Sequence, residues 1–259
     1  MNELFTKNII SLNTILKKEI FRFMRIWTQS LLPPVITITL YFIVFGKLIG
    51  SQINNIEGYT YMQYIVPGLI MMSIMTSSYS NTSSSFFGSK FSKSIEEILV
   101  SSMPNYIILL GYMLSGALRG LLVGMLVMTI SCLFTHIHIY NIWMMLFIAT
   151  LTSLLFSLAG LVNGIFAKKF DDVTFIPTFI LTPLTYLGGV FYSVQQLSPM
   201  WQTLSKFNPI FIMVSSFKYS MHGIYGSSIY LGLFTLIVLF IILFIWCYYL
   251  IEKGIGLRS

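Results

Sequence analysis

Acidic side chains are scarce in this sequence: eight Asp and Glu stand among 259 residues, against 15 Lys and Arg, and charged residues make up only 9% of the chain. None of the eight falls inside a long apolar run. Carriers driven by protons or sodium ions usually hold a carboxylate at membrane depth, so its absence argues against a stand-alone transporter or channel. No inverted repeat, another mark of such carriers, is visible. Cysteine is scarcer still. Cys132 and Cys247 sit in different apolar runs without metal-ligand spacing, and buried free thiols are expected. His136 and His138 form an H-x-H pair with no third ligand close in sequence, which reads as two surface histidines. No G-x-x-x-x-G-K-[ST] phosphate loop exists; Gly88-Ser89-Lys90 lacks the upstream glycine. H-E-x-x-H and G-x-S-x-G are absent too. The chain is therefore expected to be no enzyme and to hold no cofactor or metal. A secretory leader is not visible either, since the first segment is charged and the first apolar run lacks a small-residue cleavage site.

What the sequence has in abundance is apolar residues, 56% of the whole, with a mean hydropathy of +0.83. Several runs approach or exceed the ~20 residues a helix needs to cross a bilayer. The expected fold class is an all-α polytopic membrane protein, one transmembrane domain over residues 1–259. The net charge of +7 then reports loop orientation rather than a nucleic-acid partner.

Residues 1–30 read as an amphipathic interface helix. Leu12, Ile15, Leu16, Ile20, Phe23 and Trp27 form its apolar stripe, and Lys17, Lys18, Arg22 and Arg25 its basic side, which suits a segment lying in the headgroup region. Spans are expected over residues 31–49, 62–85, 106–134, 142–167, 173–192 and 229–251. Pro33 and Pro34 fall in the first turn of the first span, and Lys47 can snorkel at its far end. The second span is ambiguous. Its apolar part ends at Met75, only ~21 Å of helix from Met62, so the helix must continue through TSSYSNTSSS. Those hydroxyls either pack against neighbouring helices, the reading favoured, or line a polar pathway. Arg119 lies near the middle of the third span, where it must be paired or hydrated; a structural pairing and a substrate contact both stay open. Pro177 and Pro183 predict kinks in the fifth.

Residues 193–228 carry Pro199, Lys206, Asn208-Pro209, Lys218 and His222, and no apolar stretch long enough to span. Two re-entrant half-helices are expected there, tolerated only where protein or a wet cavity satisfies the backbone. With the N-terminus inside, eleven Lys and Arg fall on the cytosolic side against three outside, Lys47, Lys206 and Lys218, with Arg119 internal. The positive-inside rule then selects six spans with both termini cytosolic.

Residues 88–104, GSKFSKSIEEILVSSMP, lie between the second and third spans. Ser94 followed by Glu97 is a capping-box pattern, Ile95, Ile98 and Leu99 recur at helical spacing, and Pro104 is a natural stop. Glu96 and Glu97 stand at the positive end of the resulting short helix. It reads either as an ordinary cytosolic loop or as a lever pushed by a partner protein.

The chain as a whole resembles the permease subunits of ABC-2 type transporters. The likeness begins with the basic amphipathic helix before the first span and covers nearly the full length. SIEEILVSSMP is similar to the family's cytosolic coupling helix. Leu187-Gly188-Gly189-Val190-Phe191, then Leu197-Ser198-Pro199-Met200-Trp201, then Asn208-Pro209, is similar to its signature across the fifth span and the returning helices. Lys218 stands near a position where the family often has arginine, and Tyr192-Ser193 where Phe-Pro is common. The resemblance implies a homodimer in the bacterial inner membrane, standing on two copies of a separate ATPase that binds the ATP. It implies ATPase coupling through Ser94, Ile95, Glu96, Glu97, Ile98, Leu99 and Pro104, with residues 94–102 as the dock. Arg119, Gly188, Gly189, Trp201, Asn208, Pro209 and Lys218 would belong to the pathway or its frame. The aromatics Tyr59, Tyr61, Tyr64, Phe191, Tyr192 and Trp201 would sit near the outer mouth, where an interfacial belt places aromatics in any case.

Overall fold

The computed structural model describes residues 2–44, 56, 58–101, 103–223 and 229–256. Among them the only β-type pairing is an isolated bridge between Ile56 and Tyr59, so the protein is all-α. Lys47, Ser102, residues 224–228 and Arg258, which figure in the expectations above, lie outside the described residues.

Helix α4 (Tyr61–Phe91) is the axis of the bundle, and almost all of its circumference is buried. It opens on a capping box that the sequence reading missed: Gln63 N donates to Thr60 Oγ1 at 3.5 Å, and Thr60 N donates to Gln63 Oε1 at 3.1 Å. It then runs unbroken through the serine-rich stretch, as the length argument required. The flanking helices α6 (Asn105–Phe134) and α7 (Ile142–Phe166) approach it through glycines. A Cβ at Gly116 would collide with Thr82 and Ser157, one at Gly120 with Ser78, and one at Gly160 with the Tyr79 carbonyl. Thr82 Oγ1 and Ser157 Oγ share a hydrogen bond of 2.7 Å, and Asn163 Nδ2 donates to Ser83 Oγ at 3.0 Å. The hydroxyls therefore serve close helix packing, the favoured alternative. Thr76, Ser80 and Ser84 form the one part-exposed ridge of that stretch.

Three N-terminal pieces follow one another: α1 (Asn2–Arg25), the single turn α2 (Trp27–Ser30) and α3 (Leu32–Tyr41), whose first turn takes Pro33 and Pro34. Helix α1, expected as an amphipathic interface helix, packs along the bundle. It climbs along α6: Asn8 Nδ2 donates to the Tyr106 hydroxyl at 2.8 Å, Ile15 fills the space above Gly111, and the Ser30 carbonyl reaches Arg119. Its buried face carries a polar residue, Glu19, held by Ser85 of α4 and by Arg22 of α1 itself.

The fifth expected span is built as α8 (Phe170–Ile176), a wide π turn (Pro177–Leu181) and α9 (Thr182–Tyr186), so the two prolines mark the departures from regular helix. It stops at Tyr186, earlier than residue 192. Helices α10 (Pro199–Lys206) and α11 (Pro209–His222) are the two short helices of the next segment, and α12 (Ile229–Lys253) closes the described chain. Among the described residues four segments are long and apolar enough to cross a membrane: Trp27–Val44, α6, α7 and α12. Helix α4 is long enough but polar in its second half.

Candidate functional site

The expected coupling segment forms α5 (Ser94–Val100), ending two residues short of 102, where Ser101 turns extended. Its start corrects the capping-box reading. Lys93 takes the left-handed conformation (φ 60°) and becomes the residue before the helix, so Ser94 is already the first helical residue. The Ser94 hydroxyl turns back to donate to the Ser89 carbonyl at 3.2 Å, and no side chain caps the helix. Pro104 is likewise corrected: it precedes α6 in extended conformation rather than stopping α5. Ile95 is buried, Ile98 and Leu99 are half-buried against the lower core, and Glu96 and Glu97 face out. The free apolar surface here is Val100, 87% exposed, and Phe91, 67% exposed. Tyr112 of α6 donates its hydroxyl to Ser89 Oγ at 2.9 Å, so α4, α5 and α6 are tied at one point.

Beside α5, Lys90 Nζ donates to the Ile165 and Ala167 carbonyls at 2.8 and 3.0 Å, capping the end of α7. In the following turn the Asp172 carboxylate accepts from the backbone N–H of Lys168 and Lys169 at 2.8 and 3.0 Å. Those two bonds hold its pKa below the usual carboxylate value.

The signature residues, far apart in sequence, form one knot. Asn208 Nδ2 donates to the Leu184 carbonyl at 2.6 Å, while its Oδ1 accepts from Ile210 N at 3.0 Å and so caps α11. Pro209 occupies the first turn, where its missing N–H costs nothing. Gly188 lies against Ile210, and Gly189 adopts φ +68°, which a side chain would strain. Lys218 Nζ donates to the Gly189 carbonyl at 2.7 Å and sits 3.6 Å from the centroid of the Tyr64 ring. The backbone of Val190 presses on Gly68 of α4. The side chains of Asn208 and Lys218 thus satisfy carbonyls left open where α9 ends. Trp201 stands apart, 45% exposed on α10.

Arg119 is paired with oxygens of two other segments. Its Nη2 donates to the carbonyl of Ser30, the residue just before the expected first span, at 3.1 Å, and its Nη1 to Asn81 Oδ1 at 3.4 Å. Arg119 is the 15th of the 30 residues of α6, and through Ser30 it stands beside the start of the apolar segment Trp27–Val44. Arg22 joins the same asparagine, donating to Asn81 Oδ1 at 2.8 Å, and pairs with Glu19 Oε2 at 3.0 Å. Glu19 also accepts from the Ser85 hydroxyl and is fully buried. The sequence places Glu19 on a surface helix, outside every span; the structure puts this carboxylate inside the bundle.

At the opposite end all three histidines line one small cavity with Tyr59, Gln63, Thr135 and Met221. His222 is the third histidine the H-x-H pair lacked, yet among the described residues no three His, Cys, Asp or Glu stand close enough to share a metal ion. His222 Nε2 meets the Gln63 carbonyl at 3.2 Å, and Tyr59 donates its hydroxyl to the His222 carbonyl at 3.0 Å. His222 thereby clamps the end of α11 to the start of α4. Of the expected aromatics, Tyr59 packs its ring at a tilt against His222 and Tyr61 donates to the Phe191 carbonyl at 3.3 Å. The cysteines differ: Cys247 is buried as expected and Cys132 is exposed.

The sequence pattern of the ABC-2 type transporter family matches residues 11–222. The chain is 52% identical over 250 residues to the inner membrane transport permease YadH of Escherichia coli strain K12, covering 96% of this chain and 98% of that protein. Nodulation protein J of Rhizobium leguminosarum biovar viciae is 25% identical over 195 residues, 75% of this chain and 74% of that one. Its counterpart in Neorhizobium galegae is 21% identical over 239 residues, 91% of each chain.

Proposed function

The chain belongs to the ABC-2 type transporter family, and from that premise we propose that it is the membrane-spanning permease subunit of an ABC exporter in the bacterial inner membrane. Two copies would form a homodimer standing on two copies of a separate ATPase, with ATP bound on the partner. The six spans would be the α2–α3 run, α4, α6, α7, the α8–α9 run and α12, with both termini cytosolic and α10–α11 re-entrant.

The observation that carries the mechanism is the mounting of α5. Its buried Ile95 and the Ser94–Ser89–Tyr112 bonds fasten it to α4 and α6, while Val100, Glu96 and Glu97 remain free for a partner. A push on α5 is then a push on α4. At its other end α4 carries the Gly188–Gly189 knot through Gly68 and Tyr64, so displacement reaches the returning helices as well. Closure of the ATPase pair on ATP does this only if α5 binds its two nucleotide states differently. The test is co-purification with the ATPase and measurement of ATP hydrolysis in the complex. Buried Glu19 is the single observation favouring the alternative, a stand-alone transporter or channel; transport by the chain without any ATPase would establish that alternative.

A further inference from the structure

Two guanidinium groups and one carboxylate meet where α1 crosses α4 and α6: Arg22, Arg119 and Glu19, gathered around Asn81. Among the described residues the only ion pair in the cluster is Arg22–Glu19, so one positive charge stays unbalanced. Arg119 finds a carbonyl and an amide oxygen but no acid. Beside the start of the first membrane-capable segment an unbalanced buried charge is costly, and an anion relieves it. Two buried donors in the cluster, Arg119 Nε and Asn81 Nδ2, have no hydrogen-bond partner. Asn81 itself is fully buried.

The cluster is open on one flank. The Arg22 side chain is 31% exposed, and Lys18 and Arg25, one turn to either side of it on α1, are exposed. These residues lie just before Trp27–Val44, the first segment long and apolar enough to cross a membrane, a position that meets the headgroups when that segment spans. Guanidinium forks match phosphate oxygens two at a time, and basic pockets between helices at this level receive lipid headgroups.

We propose that the Arg22–Asn81–Arg119 cluster is a binding site for a phosphate-class anion, supplied by an anionic phospholipid of the leaflet on the α5 side or by phosphate from solution. Arg22 and Arg119 hold the anion, Asn81 adds an N–H, and Lys18 and Arg25 draw it in. Bound there, it ties α1 to α4 and α6. The site depends on the membrane placement of the bundle and not on the exporter reading.

The full-length protein is placed in nanodiscs of phosphatidylethanolamine alone, in the same discs with phosphatidylglycerol added, and in the first discs with inorganic phosphate. Bound lipid is read by native mass spectrometry and Tm by thermal unfolding. Wild type should retain phosphatidylglycerol over phosphatidylethanolamine by roughly tenfold, the worth of one charge-assisted hydrogen bond. Arg22→Gln and Arg119→Gln should bring the ratio towards one, and Glu19→Gln, which leaves both arginines unbalanced, should raise it. A Tm rise with inorganic phosphate alone, lost in Arg22→Gln, also supports the site and assigns the anion to solution. If the arginine variants do not fold, Lys18→Gln with Arg25→Gln, outside the buried network, should lower the ratio part way. No enrichment and no Tm response in wild type overturns the proposal. So does an unchanged ratio in a folded Arg22→Gln protein, or in the Lys18→Gln/Arg25→Gln protein if the arginine variants do not fold.

Discussion

At the scale of single residues, glycines and one histidine set the tightest constraints. Gly160 lets α7 approach the backbone carbonyl of Tyr79, which cannot swing aside as a side chain could. Gly160→Ala should therefore destabilise the bundle by about 1–3 kcal/mol, read as a lower Tm in detergent; an unchanged Tm would show that the two helices separate freely. His222 makes a pH prediction. Burial is the main cause lowering its pKa from 6.5 to about 4, with Lys218 and His138 nearby adding repulsion and the Gln63 carbonyl opposing it. Since the folded value lies below the ordinary one, the clamp's contribution is complete above about pH 6.5 and is lost as pH falls to about 4. The Tm of wild type should drop through that window, and His222→Asn should show a shallower fall.

At the scale of elements, α5 is the piece whose use can be separated from its folding. Ile98 is partly covered by the protein's own core, so Ile98→Asp weakens the bundle and a partner's grip together. Val100 is free. Burying it in an ATPase groove would contribute about 1.5–3 kcal/mol, so Val100→Asp should cut ATPase recovery in a pull-down by tenfold or so with Tm unchanged. Glu97→Ala should cost little, because the structure gives Glu97 no capping role. Equal recovery of the ATPase by wild type and Val100→Asp would place the dock elsewhere.

At the scale of the whole molecule, the proposed six-span arrangement would put His138 and Gln195 on the outer face and Lys93 inside. Single cysteines at these positions, with exposed Cys132 and buried Cys247 replaced, check it with an impermeant maleimide on intact cells. His138→Cys and Gln195→Cys should label at once and Lys93→Cys only after lysis. The opposite pattern would invert the protein in the membrane.

Much of this architecture is legible in the sequence because a bilayer punishes unsatisfied backbone so strongly that apolar length alone selects helices. The extents of α6, α7 and α12 and the continuation of α4 past Met75 follow from that rule. Local patterns were less reliable. Ser94 and Glu97 have capping-box spacing, but the left-handed turn at Lys93 comes one residue earlier and takes the position from Ser94. What tertiary structure alone decided is the set of polar meetings between distant segments: Asn208 with Leu184, Lys218 with Gly189, Arg119 with Ser30, and Glu19 with Ser85. Hydrogen bonds are short-ranged and leave no periodicity in the chain. Glu19 reads as one more charge on a surface helix until the packing of α1 against α6 turns it inward.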